Sequence, residues 1–235
     1  PLVEQAKKLG MESLAITDHG NMHGAIDFYL AAKKANIKPI LGCEMYVAPD
    51  NRHIKTPGHK SPYHLTVLSK NLTGYKNLIK LVTIAHLEGF YYKPRVDREV
   101  LEQYHEGLIV LSGCPSGEVP RLILQDQLEE AEATALWYKK IFGDYFLELM
   151  THGDVEELPE INNGLIKIHQ KLEIPVVATN DAHYVSQNDA DLHDILLCIQ
   201  TNTNVKNENR LRMVEDSYYL KSTEEMQALY PKMPE

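Results

Sequence analysis

The sequence lacks long apolar runs, closely spaced cysteines and an excess of positive charge. Without a continuous apolar stretch of about 20 residues, it offers no segment that would span a bilayer. Its three cysteines form no even, closely spaced framework, which suits a reducing compartment better than a disulfide-stabilised secreted protein. No basic segment followed by a short apolar one opens the chain, so we expect a cytoplasmic protein.

The charge balance limits contact with nucleic acid. The 24 basic and 33 acidic residues give a formal net charge of −9, so any contact with DNA has to be local. A content of 43% hydrophobic and 24% charged residues is ordinary for a globular protein. At 235 residues we expect one α/β domain of barrel size, with two small domains as the alternative.

Both ends of the sequence predict a fragment of a longer chain. There is no initiator Met, and the first predicted helix, from Leu2 to Gly10, has little before it. The charged pattern that starts near Thr201 continues to the last residue. We therefore expect a barrel domain over residues 1–200, with residues 201–235 as its end and the lead into a further region.

Apolar runs alternate with amphipathic helical segments, which is the pattern of an α/β sheet. The six predicted strands are Leu14–Thr17, Lys38–Val47, Pro62–Ser69, Gly107–Cys114, Asp144–Met150 and Ile174–Thr179. Between the second and third strands, the segment Ala48–Ser61 is rich in Pro, Gly, Lys and His and predicts an exposed, mobile loop. A helix is expected over Asp189–Gln200. Its buried face would consist of Leu192, Ile195, Leu196 and Ile199.

Residue types that bind metal ions recur in these strands. Asp181 and His183 follow the last strand, where the alternation of an extended chain would turn both side chains to one side. The other candidates are Asp18, His19, Glu44, His64 and Cys114. Each also has a plainer interpretation, such as a turn for Asp-x-His or a small buried residue for Cys114. Their recurrence in five of the six strands favours a shared metal centre at the carboxyl ends of the strands.

The mixture of imidazole, carboxylate and one thiol suits Zn, with Mn or Fe also tolerated. One tetrahedral ion needs fewer ligands than this set offers, so we expect two or three ions. Clustered divalent ions activate a water molecule and neutralise phosphate oxygens, which favours phosphoester hydrolysis. The same ligands would also suit a metal-dependent amidohydrolase.

The loop Phe90–Asp97 interleaves aromatic residues with the cations Lys93 and Arg95. Such a loop can bind a phosphate or stack on a base, or it can pack its aromatic rings over the barrel rim. Lys93 and Arg95 are therefore the candidate contacts for DNA phosphate.

Five segments carry a family resemblance: Leu14–Met22, Lys38–Glu44, Tyr63–Leu65, Leu111–Cys114 and Thr179–Tyr184. They resemble the PHP (polymerase and histidinol phosphatase) domain family, and within it the N-terminal PHP domains of bacterial DNA polymerase III α subunits. The resemblance covers nearly the whole chain. It implies an α/β fold, a distorted (β/α)7 TIM-like barrel, with a trinuclear metal centre at the carboxyl ends of its strands.

On this resemblance, the metal ligands are His19, Glu44, His64, Cys114, Asp181 and His183. Of these, Asp181, His183 and His19 are the candidate catalytic residues, and Zn or Mn is the expected metal. Asp18, Glu148 and His152 match neighbouring family positions and are not assigned as ligands. The family's first strand carries a His-x-His pair that this sequence does not include. We therefore expect the first strand to be missing from this chain, and metal retention and nuclease activity to be weakened without it.

PHP domains that keep these ligands are associated with metal-dependent 3′–5′ exonuclease proofreading, which implies DNA and the subunits of the polymerase III holoenzyme as partners. DNA synthesis, with Mg at its own site, would lie outside this chain, beyond a lead toward the polymerase palm over residues 201–235. Two alternatives stay open. One is a non-catalytic scaffold, stabilised by metal, that docks the palm or the proofreading subunit. The other is a small-molecule phosphatase of the histidinol phosphatase type.

Overall fold

The computed structural model describes residues 1–231, which contain alternating strands and helices. The strands are β1 Ser13–Ile16, β2 Lys38–Val47, β3 Tyr63–Ser69, β4 Arg95–Val96, β5 Leu108–Leu111, β6 Tyr145–Leu149 and β7 Val176–Ala178. The α-helices are α1 Leu2–Lys8, α2 Ala25–Lys34, α3 Leu72–Leu87, α4 Arg98–Gln103, α5 Glu118–Leu124, α6 Leu128–Phe142, α7 Leu158–Leu172, α8 Ala190–Gln200 and α9 Thr223–Leu229. None of the helices in this range combines the length and apolarity needed to cross a membrane.

The strands form one sheet that curls into a half-barrel. Its order is β1-β2-β3-β5-β6-β7, and β4 pairs with β2. The two end strands, β1 and β7, both line the same cavity of about 720 Å³, which requires the sheet to curl. The expected α/β fold of distorted TIM-like type is therefore confirmed. Within residues 1–231, no strand lies between β1 and β7 to connect the two ends of the sheet. A further strand before β1 stays a prediction.

The six predicted strands are present, but β3 runs in an unexpected direction. It is antiparallel to both of its neighbours, β2 and β5, whereas the other strand pairs within residues 1–231 are parallel. Residues 48–62 join β2 to β3 without an α-helix, and a loop of this kind can join antiparallel strands where parallel ones need a crossover. The start of β3 consequently lies beside the end of β2.

Alternation along the strands separates a packed outer face from an inner face that lines the cavity. On β2, Cys43 and Met45 belong to the main core while Glu44 faces the cavity. On β3, Leu65 and Val67 belong to the core and Thr66 faces the cavity. Burying each large aliphatic side chain of the outer face contributes roughly 1.5–3 kcal/mol. This outer packing leaves the inner face free to carry polar side chains.

The segment Ala48–Ser61, expected to be a mobile loop, is fastened to the barrel. The guanidinium of Arg52 is buried and donates to the carboxylate of Asp97 at 3.0 Å. Arg95 is 0% exposed. Its guanidinium donates to the backbone carbonyls of Arg52, Ile54, His59 and Gly89. Because its side chain is enclosed and bonded to the backbone, Arg95 is not available to phosphate, and the expected DNA contact at this residue is wrong.

Helix α8 also differs from expectation. The four residues expected to be buried are exposed: Leu192 by 62%, Ile195 by 47%, Leu196 by 61% and Ile199 by 71%. The helix instead buries Leu197 and Cys198. Helical periodicity correctly indicated an apolar face, but no element within residues 1–231 covers it.

We expect Arg95→Met to lower the free energy of unfolding by about 3 kcal/mol or more, because it leaves buried carbonyl oxygens without donors. Urea-induced unfolding followed by circular dichroism measures the change. The matched control is Lys93→Met, which removes an exposed cation two residues away and should cost less than about 0.5 kcal/mol. Equal losses in the two variants would contradict a fastening role for Arg95.

Candidate metal centre

Backbone pairing beyond the end of β1 brings the first two predicted ligands together. The pairing of β1 with β2 continues as a bridge between His19 and Glu44, and the amide of Gly20 donates to the carbonyl of Glu44 at 2.9 Å. As a result, Nδ1 of His19 lies 3.3 Å from Oε2 of Glu44. The imidazole is half exposed and the carboxylate is buried, so His19 forms the solvent side of the pair.

His64 reaches the same place because β3 is reversed. It is the second residue of β3 and pairs with Tyr46 near the end of β2. Its Nδ1 lies 2.5 Å from Oε1 of Glu44 and 3.4 Å from Sγ of Cys114, which follows β5. The ligand atoms of Glu44, His64 and Cys114 all lie within 4.8 Å of one another.

The carboxylate of Glu44 indicates that a cation fits this cluster. Its Oε1 is buried and has no hydrogen-bond partner, although Nδ1 of His64 lies 2.5 Å away. Leaving a buried carboxylate oxygen unsatisfied is costly. The converging imidazole, carboxylate and thiol are ligand types that zinc prefers. The residues present therefore fit a divalent metal ion.

Asp181 and His183 border the same cavity from the loop after β7. Asp181 has a left-handed backbone conformation with φ of 45°, which costs a non-glycine residue about 1–3 kcal/mol. Nδ1 of His183 lies 2.7 Å from the backbone carbonyl oxygen of Asp181 and 3.7 Å from its Oδ1. The rings of His183 and His19 are 5.7 Å apart. The two residues thus stand at the rim beside the tight cluster rather than inside it.

An irregular segment over residues 213–221, which we call the C-terminal strap, holds this loop in place. Nδ2 of Asn180 donates to the carbonyls of Ser217 and Tyr219, both at 2.8 Å. The amide of His183 donates to the carbonyl of Tyr218 at 2.8 Å. These bonds flank the strained residue on both sides and offset its cost.

The charges of the centre depend on one another. Burial alone would raise the pKa of Glu44, but contacts with His19 and His64 lower it to about 2. The hydrogen bond to Glu44 in turn raises the pKa of His19. Burial raises the pKa values of Asp181 and of the Cys114 thiol. A divalent cation would reverse the preference at Cys114, because a metal-bound thiol is deprotonated.

Three further residues lie near the centre. Glu148 on β6 lines the cavity, and burial is the main cause that raises its pKa to about 7. Alternation along β6 could have indicated this inner-face position. His152 is buried outside the tight cluster, with its ring stacked 3.9 Å from that of Tyr218 in the strap. His193 on α8 lies 5.6 Å from the ring of His183, and no sequence signal marks it.

The two predicted phosphate contacts separate in the structure. Arg95 is enclosed beneath the rim, whereas Lys93 is exposed, with its Nζ 5.3 Å from the centre of the Tyr46 ring. The charge of Lys93 also acts on His19, where it opposes the rise in pKa caused chiefly by Glu44. Lys93 therefore remains a cation beside the centre.

The curled α/β half-barrel, with an imidazole, a carboxylate and a thiol converging at one rim, is a TIM-like domain with a candidate metal site. The family model of the PHP domain matches residues 1–152, which is more than half of the sequence. The chain belongs to the PHP domain family.

Curated relatives extend the match over the whole chain. It is 48% identical over 237 residues to the DNA polymerase III subunit alpha of Borreliella burgdorferi and 49% identical over 239 residues to that of Treponema pallidum. Both alignments cover 100% of this chain but only 21% and 20% of the relatives. The subunit of Thermus aquaticus is 45% identical over 94% of the chain and 18% of its own length. The chain thus spans about a fifth of the relatives it matches.

Among solved structures, the chain is similar to a candidate metal-dependent phosphoesterase from Bifidobacterium adolescentis. The TM-score is 0.48 at 14% identity, with 97% of this chain and 89% of the other covered. A similarity at this level adds nothing to the assignment of fold or function.

Cys114→Ala should weaken binding of Zn or Co(II) by the full-length protein about 100-fold or more, because it removes a ligand from the cluster. It should also remove the thiolate-to-Co(II) charge-transfer absorption. Titration with Co(II) in the absorption spectrometer measures both. Cys198→Ala, at a buried cysteine on α8, is the matched control and should leave the band in place. If the band survives in Cys114→Ala, this thiol is not a ligand.

Proposed function

We propose that this chain is the PHP domain of a DNA polymerase III α subunit and that its rim carries a metal-dependent phosphoesterase site. The observation that carries the metal site is the convergence of Glu44, His64 and Cys114 around a buried carboxylate oxygen without a hydrogen-bond partner. The polymerase context is supported by relatives that match the chain end to end. The substrate we propose is the 3′ end of DNA, shortened by 3′–5′ exonuclease action.

The ligands in this proposal are His19, Glu44, His64, Cys114, Asp181 and His183. Zn or Mn, as two or three ions, is the proposed metal complement. When bound, such ions supply a nucleophilic water and neutralise the charge on the phosphate oxygens. Glu44 stands between two imidazoles and contributes the buried negative charge, while the thiol of Cys114 lies against His64.

The catalytic residues we propose are Asp181, His183 and His19, which form the open side of the centre. The carboxylate of Asp181 borders the cavity at the open side of the centre, where it can accept a proton from an attacking water. The ring of His183 is held by the carbonyl of Asp181 at its Nδ1, which leaves its other nitrogen for the substrate side. His19 is half exposed and can bond a phosphate oxygen through its outer edge.

Lys93 is the proposed phosphate contact outside the metal centre. The chain carries a net charge of −9, so a polyanion has to be held by local cations. Lys93 is exposed beside His19. In this proposal, a DNA strand approaches the centre from that side. Arg95 has no part in this proposal because its guanidinium is bonded to the protein backbone.

A second candidate function is a scaffold that docks another part of the polymerase or its proofreading subunit. The exposed apolar face of α8 favours it, because four large aliphatic side chains on one helix otherwise remain in water. Both functions can coexist on one domain. A free-standing histidinol phosphatase is less favoured, because the relatives that match the full length of the chain are named as polymerase subunits.

In the complete protein, we propose that residues 1–200 form the barrel domain and that residues 201–235 lead toward the palm. Residues 232–235 lie outside the part that the structure describes. DNA and the other holoenzyme subunits are the proposed partners in the cytoplasm. The polymerase site, with Mg, would lie outside this chain.

Asp181→Ala in the full-length protein should abolish removal of a mismatched 3′ nucleotide while DNA synthesis from a matched primer continues. The expected loss is at least about 100-fold in exonuclease rate, since a single catalytic proton acceptor contributes that much. The rates are measured on end-labelled primers with Zn or Mn, with and without chelator. Exonuclease activity that persists in this variant would remove Asp181 from the catalytic residues. Wild-type protein without chelator-sensitive exonuclease activity would sink the proposed hydrolytic function and leave the scaffold.

Lys93→Ala should raise the KM for single-stranded DNA with little change in kcat, because it removes a contact to phosphate rather than a reacting group. It should also reduce the slope of log KM against log salt concentration by about 0.7, the value of one phosphate contact on a single strand. Lys140→Ala, at an exposed cation on α6, is the matched control. Identical salt slopes in both variants would remove Lys93 from the site.

A further inference from the structure

The cavity below the metal centre contains a carboxylate that the proposed function does not use. Glu148 projects from β6 into the cavity and is 5% exposed. A carboxylate in such a position is costly to bury without donors around it. It has three, and they come from three different parts of the chain.

Each donor belongs to a segment that carries a predicted metal ligand. Oγ1 of Thr66 donates to Oε2 of Glu148 at 3.2 Å, and Thr66 stands two residues after His64 on β3. The amide of Gly113 donates to the same oxygen at 3.1 Å, immediately before Cys114. The third bond, 2.7 Å long, runs from Oγ1 of Thr179 to Oε1.

Thr179 stands two residues before Asp181 and directly after β7. One carboxylate therefore joins the segments that present His64, Cys114 and Asp181. The spacing by two is significant, because alternate residues of a strand project to the same face. Thr66 thus lies below His64 on the inner face of β3.

The bond from Thr66 crosses from β3 to β6, which do not pair with each other, whereas the bonds from Gly113 and Thr179 join β6 to the ends of its neighbours β5 and β7. β3 and β6 are separated by β5 in the strand order, so no backbone hydrogen bonds link them. The distance between two non-neighbouring strands depends on side chains that span the cavity. Within residues 1–231, Glu148 accepts hydrogen bonds from β3, from the loop after β5 and from the end of β7.

We propose that Glu148 is a positioning residue that sets the separation of His64, Cys114 and Asp181 and so tunes the affinity of the metal centre. The proposal rests on the metal site described under the proposed function. Glu148 itself does not bind the metal. It acts through the three donors, as groups that orient metal ligands do in other metalloproteins.

The test compares metal affinity in the full-length protein for Glu148→Gln, Thr66→Val and Thr179→Val. Glutamine keeps the shape but has only one acceptor oxygen for three donors. Each valine removes one hydroxyl donor at nearly constant volume. The matched control is Thr134→Val, at a buried threonine on the outer helix α6. Affinities for Zn come from competition with a chelating dye, and the Co(II) spectrum reports the geometry at the thiolate.

We expect Glu148→Gln to weaken metal binding by about 10- to 100-fold and to shift the thiolate-to-Co(II) band. Thr66→Val and Thr179→Val should each weaken binding less, and neither should weaken it further in the Glu148→Gln background. Thr134→Val should leave both affinity and spectrum unchanged. A purely structural role for Glu148 would lower stability in chelator yet leave the affinity and spectrum of the folded protein intact.

The outcomes separate the inference from the function on which it rests. Wild-type protein that binds neither Zn nor Co(II) would overturn the metal site itself. Wild-type protein that binds them while Glu148→Gln binds equally well would overturn only the positioning role. If Glu148→Gln does not fold, the two threonine variants decide the question, and unchanged affinity in both would overturn the role.

Discussion

The carboxylate of Glu44 is buried in the later half of β2 and has to be matched by positive charge. This requirement determines which side chains gather at the rim of the barrel. The desolvation that would keep Glu44 neutral is outweighed by two imidazoles, one from each neighbouring strand. His19 arrives through parallel pairing at one edge of β2, and His64 arrives through antiparallel pairing at the other edge of β2. The thiol of Cys114 then lies against His64. The loop after β7 and its strap complete the rim around this nucleus.

The direction of β3 is what makes the arrangement possible. In an all-parallel barrel, a residue at the start of a strand lies at the rim opposite to the carboxyl ends. His64 is the second residue of β3, so a parallel β3 would have placed it away from Glu44. The reversed strand instead brings it to an Nδ1–Oε1 distance of 2.5 Å. Two features of the sequence thus indicate the antiparallel direction of β3: His64 lies near the beginning of the strand, and no helix connects β2 to β3.

Local patterns predicted most of the elements, and they failed where distant residues decide. Apolar runs and turn residues were sufficient for the six strands, because these signals lie within a few residues. The two-residue β4 and the reversal of β3 depend on pairing partners far along the chain. Arg95 looked like a surface cation because nothing nearby in sequence reveals the carbonyls that enclose it. The apolar face of α8 was predicted, but periodicity cannot say whether anything covers it.

The C-terminal strap makes the order of synthesis matter. The residues gathered at the rim extend from His19 to His183, and the loop that presents the last of them is held by Ser217, Tyr218 and Tyr219. A chain emerging from the ribosome can pair β1, β2 and β3 early, since those strands are close in sequence. The rim is complete only after about 200 more residues have followed His19, a separation that makes closure slow. Until then, a nascent chain would expose Glu44, His64 and Cys114 to any metal ion it meets without the segment that completes their surroundings.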